Sequence, residues 1–458
     1  MKHLLKLFLL VFSLNTYAQT WTALDSGLTG KKGSDKVTAL NVYKNKLYVS
    51  GQFYKINYNN IAAIARWDGI DWDSVGCPSG MEGVGGVIKE YKGRLHVGGT
   101  INDVCGIINK PGVHDLMVIN WDDTLWREIG YWKGTVSNYG EISCMAVYKG
   151  ELYVGGNILY IKGITTKGIA RWDGSKWRSV RAGITGGWRD ISAMAVYKDE
   201  LYIGGSFTGV DSQLCLGVAK WNGNTWSPMG TGLAAGSGGG GVGGMVVDSV
   251  KNVLYLVGGF QYAGGIKVNG VAQWDGTKWD SVGTPITNGG TGICMYRNKL
   301  FIGGYSKRYT ISDTVLASWD GKKWTPHLGP DGTIRSLKEY KDKLIVGGAF
   351  NKVGTDTLCK GIAAYYEPAV GINTNKDHSS IEVYPNPASN SIYVKFNNLP
   401  WQKLEMLNSL GEQVYKYSNN SSSKNTEVIV DHNLPDGLYT IKVMADKVYY
   451  SKVIVQNQ

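Results

Sequence analysis

The chain has 458 residues, a formal net charge of +11, 63 glycines, 16 tryptophans and 28 tyrosines, with charged residues at 19%. Glycine at roughly double its usual level argues against a helical bundle or coiled coil, and the aromatic content argues against a disordered chain. Lys and Arg form no run of five or more, which disfavours nucleic acid as the partner behind the positive balance.

The N-terminus, MKHLLKLFLLVFSLNTYAQT, sets Lys2 and Lys6 around the start of an apolar run that ends at Thr16-Tyr17-Ala18. This pattern predicts a secretory signal peptide over 1–18, cleaved after Ala18. The run is shorter than the ~20 residues of a spanning helix. No later segment reaches that length, so no transmembrane segment is expected in the mature chain. Cys77, Cys105, Cys144, Cys215, Cys294 and Cys359 contain no CxxC pair. Cys144 and Cys294 fall in strand patterns and read as buried thiols.

One motif then recurs seven times. It reads VYKNKLYVSG from Val42, EYKGRLHVGG from Glu90, VYKGELYVGG from Val147, VYKDELYIGG from Val196, VKNVLYLVGG from Val250, MYRNKLFIGG from Met295 and EYKDKLIVGG from Glu339. Successive copies lie 44 to 57 residues apart. Six copies are followed by a WDGxxW-type segment, starting at Trp67, Trp121, Trp172, Trp221, Trp274 and Trp319. Each unit reads as four short strands. Turns such as Lys149-Gly150 join the first two, and the Asp-Gly or Asn-Gly turn joins the last two. The paired glycines predict a close approach of backbone to backbone. The seventh unit stops at Tyr365, without a fourth strand, while Trp21 near the N-terminus matches the second Trp of the other units. The first strand of the mature chain is therefore expected to complete the last unit. A period of this length with four strands per unit predicts an all-β fold, a seven-bladed β-propeller over 19–368.

The double glycine after an LYV strand, followed by the aromatic-Asp turn and the second Trp, resembles the kelch-type repeat. It is closer still to bacterial exported propellers with ARWDG-type units. The resemblance covers about residues 21–366 and implies the fold alone, since propellers host many unrelated activities.

Residues 369–379 read as a polar linker. Residues 380–458 read as short alternating strands, a small Ig-like β-sandwich. The module contains Tyr384-Pro385-Asn386-Pro387, then NSLGEQV around Gly411, then LPDGLY with Gly437, Leu438 and Tyr439. On those residues it resembles the type A C-terminal sorting domain of the type IX secretion system of Bacteroidetes. The resemblance implies the type IX machinery as partner. It places the mature protein at the outer-membrane surface or outside the cell, attached to surface lipopolysaccharide or released.

The chain has no HExxH, no GxSxG and no GxxxxGKS or GxxxxGKT motif, and no His/Cys/Asp/Glu set at ligand spacing. No catalytic residue, metal or cofactor is therefore assigned. Asp68, Asp122, Asp173, Asp275 and Asp320 recur in the tight turns and read as turn formers. In a four-stranded unit the short turns emerge on one face, and the long 2–3 loops and crossovers on the other. Variable loops on a rigid scaffold are where binding concentrates. Trp132 and Trp188 fall in crossover segments, beside Tyr131, Tyr139 and Arg189. Aromatics there suit stacking on sugar rings or anchoring a protein. The expected role is a non-catalytic binding or adhesion module for a glycan or protein. The rival is a glycan-active hydrolase or lyase drawing on Asp103, Asp115, Asp190 or Asp313.

Overall fold

The computed structural model describes residues 20–24, 27–29, 36–56, 61–76, 81–104, 115–132, 140–235, 241–285, 290–304, 315–354, 359–366, 381–386, 388–389, 391–396, 401–408, 412–419, 427–431, 433–445 and 448–456. The expected signal segment and the linker 369–379 lie outside them. The chain divides into two units, Met1–Glu367 and Pro368–Gln458.

All the regular structure described is β. Among the described residues the first unit holds seven four-stranded antiparallel sheets. Their first strands are Lys36–Tyr43, Met81–Tyr91, Glu141–Tyr148, Asp190–Tyr197, Val242–Asp248, Gly292–Tyr296 and Thr333–Tyr340, and the sheets are numbered one to seven in that order. Sheet three shows the plan. Glu141–Tyr148 pairs with Glu151–Asn157, then Ile169–Trp172, then Trp177–Ser179. The turn between the first two strands has φ 46° at Lys149 and 78° at Gly150. Positive φ at both central residues is the type I′ geometry, which matches the twist of a hairpin. Sheet seven draws its fourth strand from the other end of the chain. Thr20–Ala23 pairs antiparallel with Ile362–Tyr366, with Trp21 opposite Tyr365.

Apolar cores lie between neighbouring sheets. One cluster joins Val37, Leu47 and Ala65 in sheet one to Tyr340, Ile345 and Ile362 in sheet seven. Each first strand packs against the first strand of the next sheet, and Thr333–Tyr340 packs back against Lys36–Tyr43. Two kinds of hydrogen bond cross each of several junctions. The tyrosine before the first turn donates to a carbonyl of the next sheet's turn, as in Tyr91 Oη to Gly150 O at 2.9 Å and Tyr340 Oη to Asn45 O at 3.2 Å. The second Trp donates Nε1 to the preceding sheet, as in Trp126 to Val75 O at 2.8 Å and Trp279 to Met229 O at 2.9 Å. Trp21 does the same to Leu328 O at 2.7 Å.

The two glycines of the repeat have different reasons. A Cβ on Gly156 would stand 1.9 Å from Glu141 O, a contact of backbone with backbone. A Cβ on Gly155 would instead stand 2.5 Å from Met194 Cε of the next sheet. The second glycine is thus tied to a bulge in the first strand. The pairing register shifts between Val37 and Ala39, Gly85 and Val87, Ile142 and Cys144, Ile191 and Ala193, Val242 and Gly244, and Ile334 and Ser336.

The 2–3 loops carry more order than variable loops need. Ile184–Thr185 of a crossover pairs with Gly209–Val210, which pairs with Gln213–Leu214. Leu233–Ala234, Tyr262–Ala263 and Ile266–Lys267 repeat that arrangement one sheet later. Cys144, Cys215, Cys294 and Cys359 are free thiols. Cys77 and Cys105 lie outside the described residues.

The second unit has a three-stranded sheet, Ile381–Tyr384, Ser391–Phe396 and Glu427–Asp431, and a four-stranded sheet, Gln413–Ser418, Lys403–Leu407, Gly437–Met444 and Val448–Val455. Both contribute to one core around Ile392, Val394, Leu404, Met406, Ile441 and Val453. Trp401 stacks on Phe396 with ring centroids 4.5 Å apart.

Candidate functional site

The residue skipped by each register shift is Thr38, Gly86, Ser143, Ser192, Gly243 or Arg335. Sheet six places Thr291 at the equivalent position, just before its first strand. All seven line a single cavity of about 450 Å³. A bulge leaves its extra residue out of the ladder and re-aims it. Six of these residues are glycine or carry a small hydroxyl, which leaves room. Hydroxyls among them are spent on backbone: Thr38 Oγ1 donates to Ser50 O and Thr291 Oγ1 to Arg335 O, both at 3.1 Å.

Charge gathers where the first strands begin. Glu141 opens the strand of sheet three and lines the cavity. Asp190 opens the equivalent strand of sheet four, directly across from Ser206. Burial raises the Asp190 carboxyl above its usual range, and the neighbouring Glu141 charge raises it further, against a hydrogen bond from Ser143. Lys36 opens the strand of sheet one. Burial lowers its ammonium below the usual value, Arg335 lowers it further, and Glu141 opposes them. The two cations belong to adjacent sheets seven and one, and the two carboxylates to adjacent sheets three and four.

Two residues before Asp190 stands Trp188, 87% exposed. The crossover leading to it is tight. Gly186 and Gly187 have φ of 66° and 58°, and Arg189 follows at 54°. A Cβ at Gly187 would meet Ser206 O at 2.7 Å, so only glycine lets the chain pass close to the strand end and present the indole. Arg189 is exposed beside it.

The other expected ligand residues are placed differently. Tyr131 and Trp132 end the strand Trp126–Trp132 rather than lying in a crossover. Tyr131 is half-buried, packs on the core around Ile119 and Trp126, and its carbonyl accepts the Lys162 N–H at 3.0 Å. Trp132 pairs with Asp115 across the ladder. Tyr139 and Asp313 lie outside the described residues. Asp103 pairs with Glu82 along the second strand of sheet two. Of the rival carboxylates, Asp190 opens the strand whose Ser192 lines the cavity, and Glu141, which lines the cavity itself, escaped the sequence reading. The signal that finds Glu141 is alignment of the first strands on Tyr148 and Tyr197, which puts both acids at the same position. His96 is buried, and burial lowers its pKa to about 4. Among the described residues no group of three or more His, Cys, Asp or Glu is placed to hold a metal.

In the second unit Tyr384 stacks on Tyr393, and Asn386 Oδ1 accepts the Ile454 N–H at 2.9 Å. Tyr439 is buried and donates its hydroxyl to Pro435 O at 2.9 Å. Pro385, Gly437 and the half-exposed Leu438 flank these contacts, while Pro387 and Gly411 lie outside the described residues. The motif residues thus hold the turn and strand ends of this unit.

Residues 382–456 match the family described as the secretion system C-terminal sorting domain. The chain carries a type IX sorting tail. That tail marks the protein for export to the cell surface or release. Among the described residues no helix is long and apolar enough to cross a membrane. An ulvan lyase of Nonlabens ulvanivorans is 36% identical over 81 residues, which are 17% of this chain and 14% of that protein. Such a stretch is far shorter than the first unit, Met1–Glu367. Among solved structures, the extracellular domain of a hybrid two-component system from B. thetaiotaomicron is 10% identical, with a TM-score of 0.46, over 96% of this chain and 59% of that one. A GH74 enzyme of Niastella koreensis is 12% identical, with a TM-score of 0.44, over 93% of this chain and 66% of that one.

Proposed function

We propose that residues 19–368 form a seven-bladed β-propeller of kelch-like type that binds a glycan at one end of its central cavity. Residues 380–458 are its delivery module, engaged by the type IX machinery and followed by attachment to surface lipopolysaccharide or release. The binding role is non-catalytic. Trp188 carries this reading. An indole that is 87% exposed leaves a large apolar face in water, and it stands two residues before Asp190, which opens a strand that lines the cavity. Sugar rings offer C–H faces for an aromatic platform and hydroxyls for carboxylates and cations. The test is a glycan array on the exported protein and its Trp188→Ala variant. A glycan hit weakened at least tenfold by the substitution is the expected result. Unchanged glycan binding would overturn the site, and a protein captured through Trp188 in place of any glycan would overturn the ligand class.

A second reading is favoured by one observation, the charge of Glu141 acting on Asp190. A carboxyl raised above its usual range by burial, beside a second carboxylate, suits general acid–base chemistry on a glycosidic bond. The name of the ulvan lyase relative points the same way, within the short stretch it covers. Under this reading, polysaccharide incubated with the protein releases reducing ends, and Glu141→Gln or Asp190→Asn abolishes the release.

A further inference from the structure

The second unit has two outer sheet faces, and they differ in chemistry. On the four-stranded sheet Glu405 is buried and ion-paired with Lys403 and, at 3.0 Å, with Lys442. These charges are answered within the sheet itself. On the three-stranded sheet one row of side chains crosses all three strands. Tyr384 stands opposite Tyr393, and Tyr393 opposite Ile429. The two tyrosine rings stack, with centroids 5.6 Å apart and planes 9° from parallel. Ile392, Val394, Val428 and Val430 of the same strands enter the core, so the period-two alternation of a strand puts the row on the other side. Tyr384 is 41% and Ile429 51% exposed.

The solvent face of an antiparallel sheet is ordinarily polar, and a row of this kind leaves apolar area uncovered. Its composition suits a protein partner, because tyrosines are rigid anchors with an apolar body and a polar tip. Among the described residues Glu427–Asp431, which carries Ile429, is also an edge of its sheet, and an open edge offers backbone groups to another chain. The motif residues of this unit divide in the same way. Asn386 and Tyr439 make their hydrogen bonds inside the unit, whereas Tyr384 presents its ring at the surface. The sorting-domain match over 382–456 takes in all three positions of the row, and a sorting domain has to be read by the machinery that exports it. We propose that Tyr384, Tyr393 and Ile429 form the surface by which the type IX machinery recognises this tail, received by an apolar patch on a protein of that machinery. The inference rests on the sorting assignment and gives it a face and three residues.

The test is delivery of the full chain in a bacterium that carries the type IX system, read by fractionation as the ratio of protein outside the cell to protein retained in the periplasm. Ile429→Thr keeps a β-branched residue in the strand, and Tyr384→Ser removes the stacked ring. Each is expected to lower the ratio about fivefold or more, while Tyr384→Phe stays near the parent. Val414→Ser, at an exposed position of the other sheet, should be delivered like the parent. Thermal melting and limited proteolysis of each purified protein check that the tail is folded, and if Tyr384→Ser misfolds, Ile429→Thr decides. Normal delivery of folded Ile429→Thr would overturn the surface. So would a defect in Ile454→Ser, on the four-stranded sheet, with the row variants delivered normally. A full-length dimer on size-exclusion chromatography that Ile429→Thr dissolves, with delivery unchanged, would assign the row to a second copy of the chain and overturn the partner. The sorting assignment fails separately. It falls if the chain lacking 380–458 is still delivered, whereas a blocked deletion with normally delivered row variants removes the row alone.

Discussion

Single atoms decide several positions in this protein. At Gly156 the missing Cβ leaves space that Glu141 O occupies, 1.9 Å from where that carbon would be. Gly205 and Gly348 repeat the contact at 2.0 and 2.1 Å from Asp190 O and Thr333 O. In sheet five that place is taken by Gly258, 2.2 Å from Gly241 O, and Gly259, one residue further on, has nothing within 4 Å. Gly156→Ala is therefore expected to cost about 2–3 kcal/mol or more, since backbone on both sides must shift. Gly259→Ala should stay within about 0.5 kcal/mol of the parent. Urea denaturation of the two variants checks the contrast, and equal losses would show that the bulge contact is not the reason for the glycine. The same bulge sends residues 38, 143, 192 and 335 to the cavity. A structural glycine and a candidate ligand residue are thus two sides of one local distortion.

The tight turns show how an element is stabilised by its own side chain. In the WDG turns the aspartate Oδ1 accepts two backbone N–H groups, as at Asp275 from Thr277 and Lys278, both at 2.8 Å. These bonds favour the charged form and pull the Asp275 carboxyl down to about 2. Asp68 and Asp320 shift the same way for the same reason. The folded pKa lies below the unfolded value of about 3.9. The contribution to stability is therefore complete above about pH 5 and is lost as the pH falls towards 2. Sheet four already carries Asn222 at this place, with both backbone bonds kept at 2.8 Å. Asp275→Asn should thus melt like the parent at pH 7 and lose less stability between pH 5 and 2. Thermal melts across that range test it, and parallel curves for the two proteins would count against the charge as the cause.

At the scale of the whole molecule, the decisive contact joins the two ends of the first unit. Trp21 packs on Tyr365 with ring centroids 5.0 Å apart and donates to Leu328 O. Without Thr20–Ala23 the strand Ile362–Tyr366 becomes an open edge, which invites pairing with other chains. Deleting residues 20–23 is expected to lower the melting temperature and produce oligomers on size-exclusion chromatography. A monomer of unchanged stability would show that closure does not depend on this strand. Removal of 380–458 should leave the first unit folded but undelivered, as fractionation of cells would show. The sequence by itself determined the four-stranded repeat, its type I′ and Asp-Gly turns, the strand borrowed from the N-terminus and the sorting tail. Each of these follows from local periodicity, turn chemistry or motif order, which residues near in the chain suffice to encode. It did not determine that Trp132 ends a strand, that the 2–3 loops pair with crossovers, or that Glu141 and Arg335 line one cavity. Those two residues lie 194 positions apart. Only the cyclic packing of the first strands brings them to one cavity, because a bulge sets where a side chain points and neighbouring sheets set what it meets.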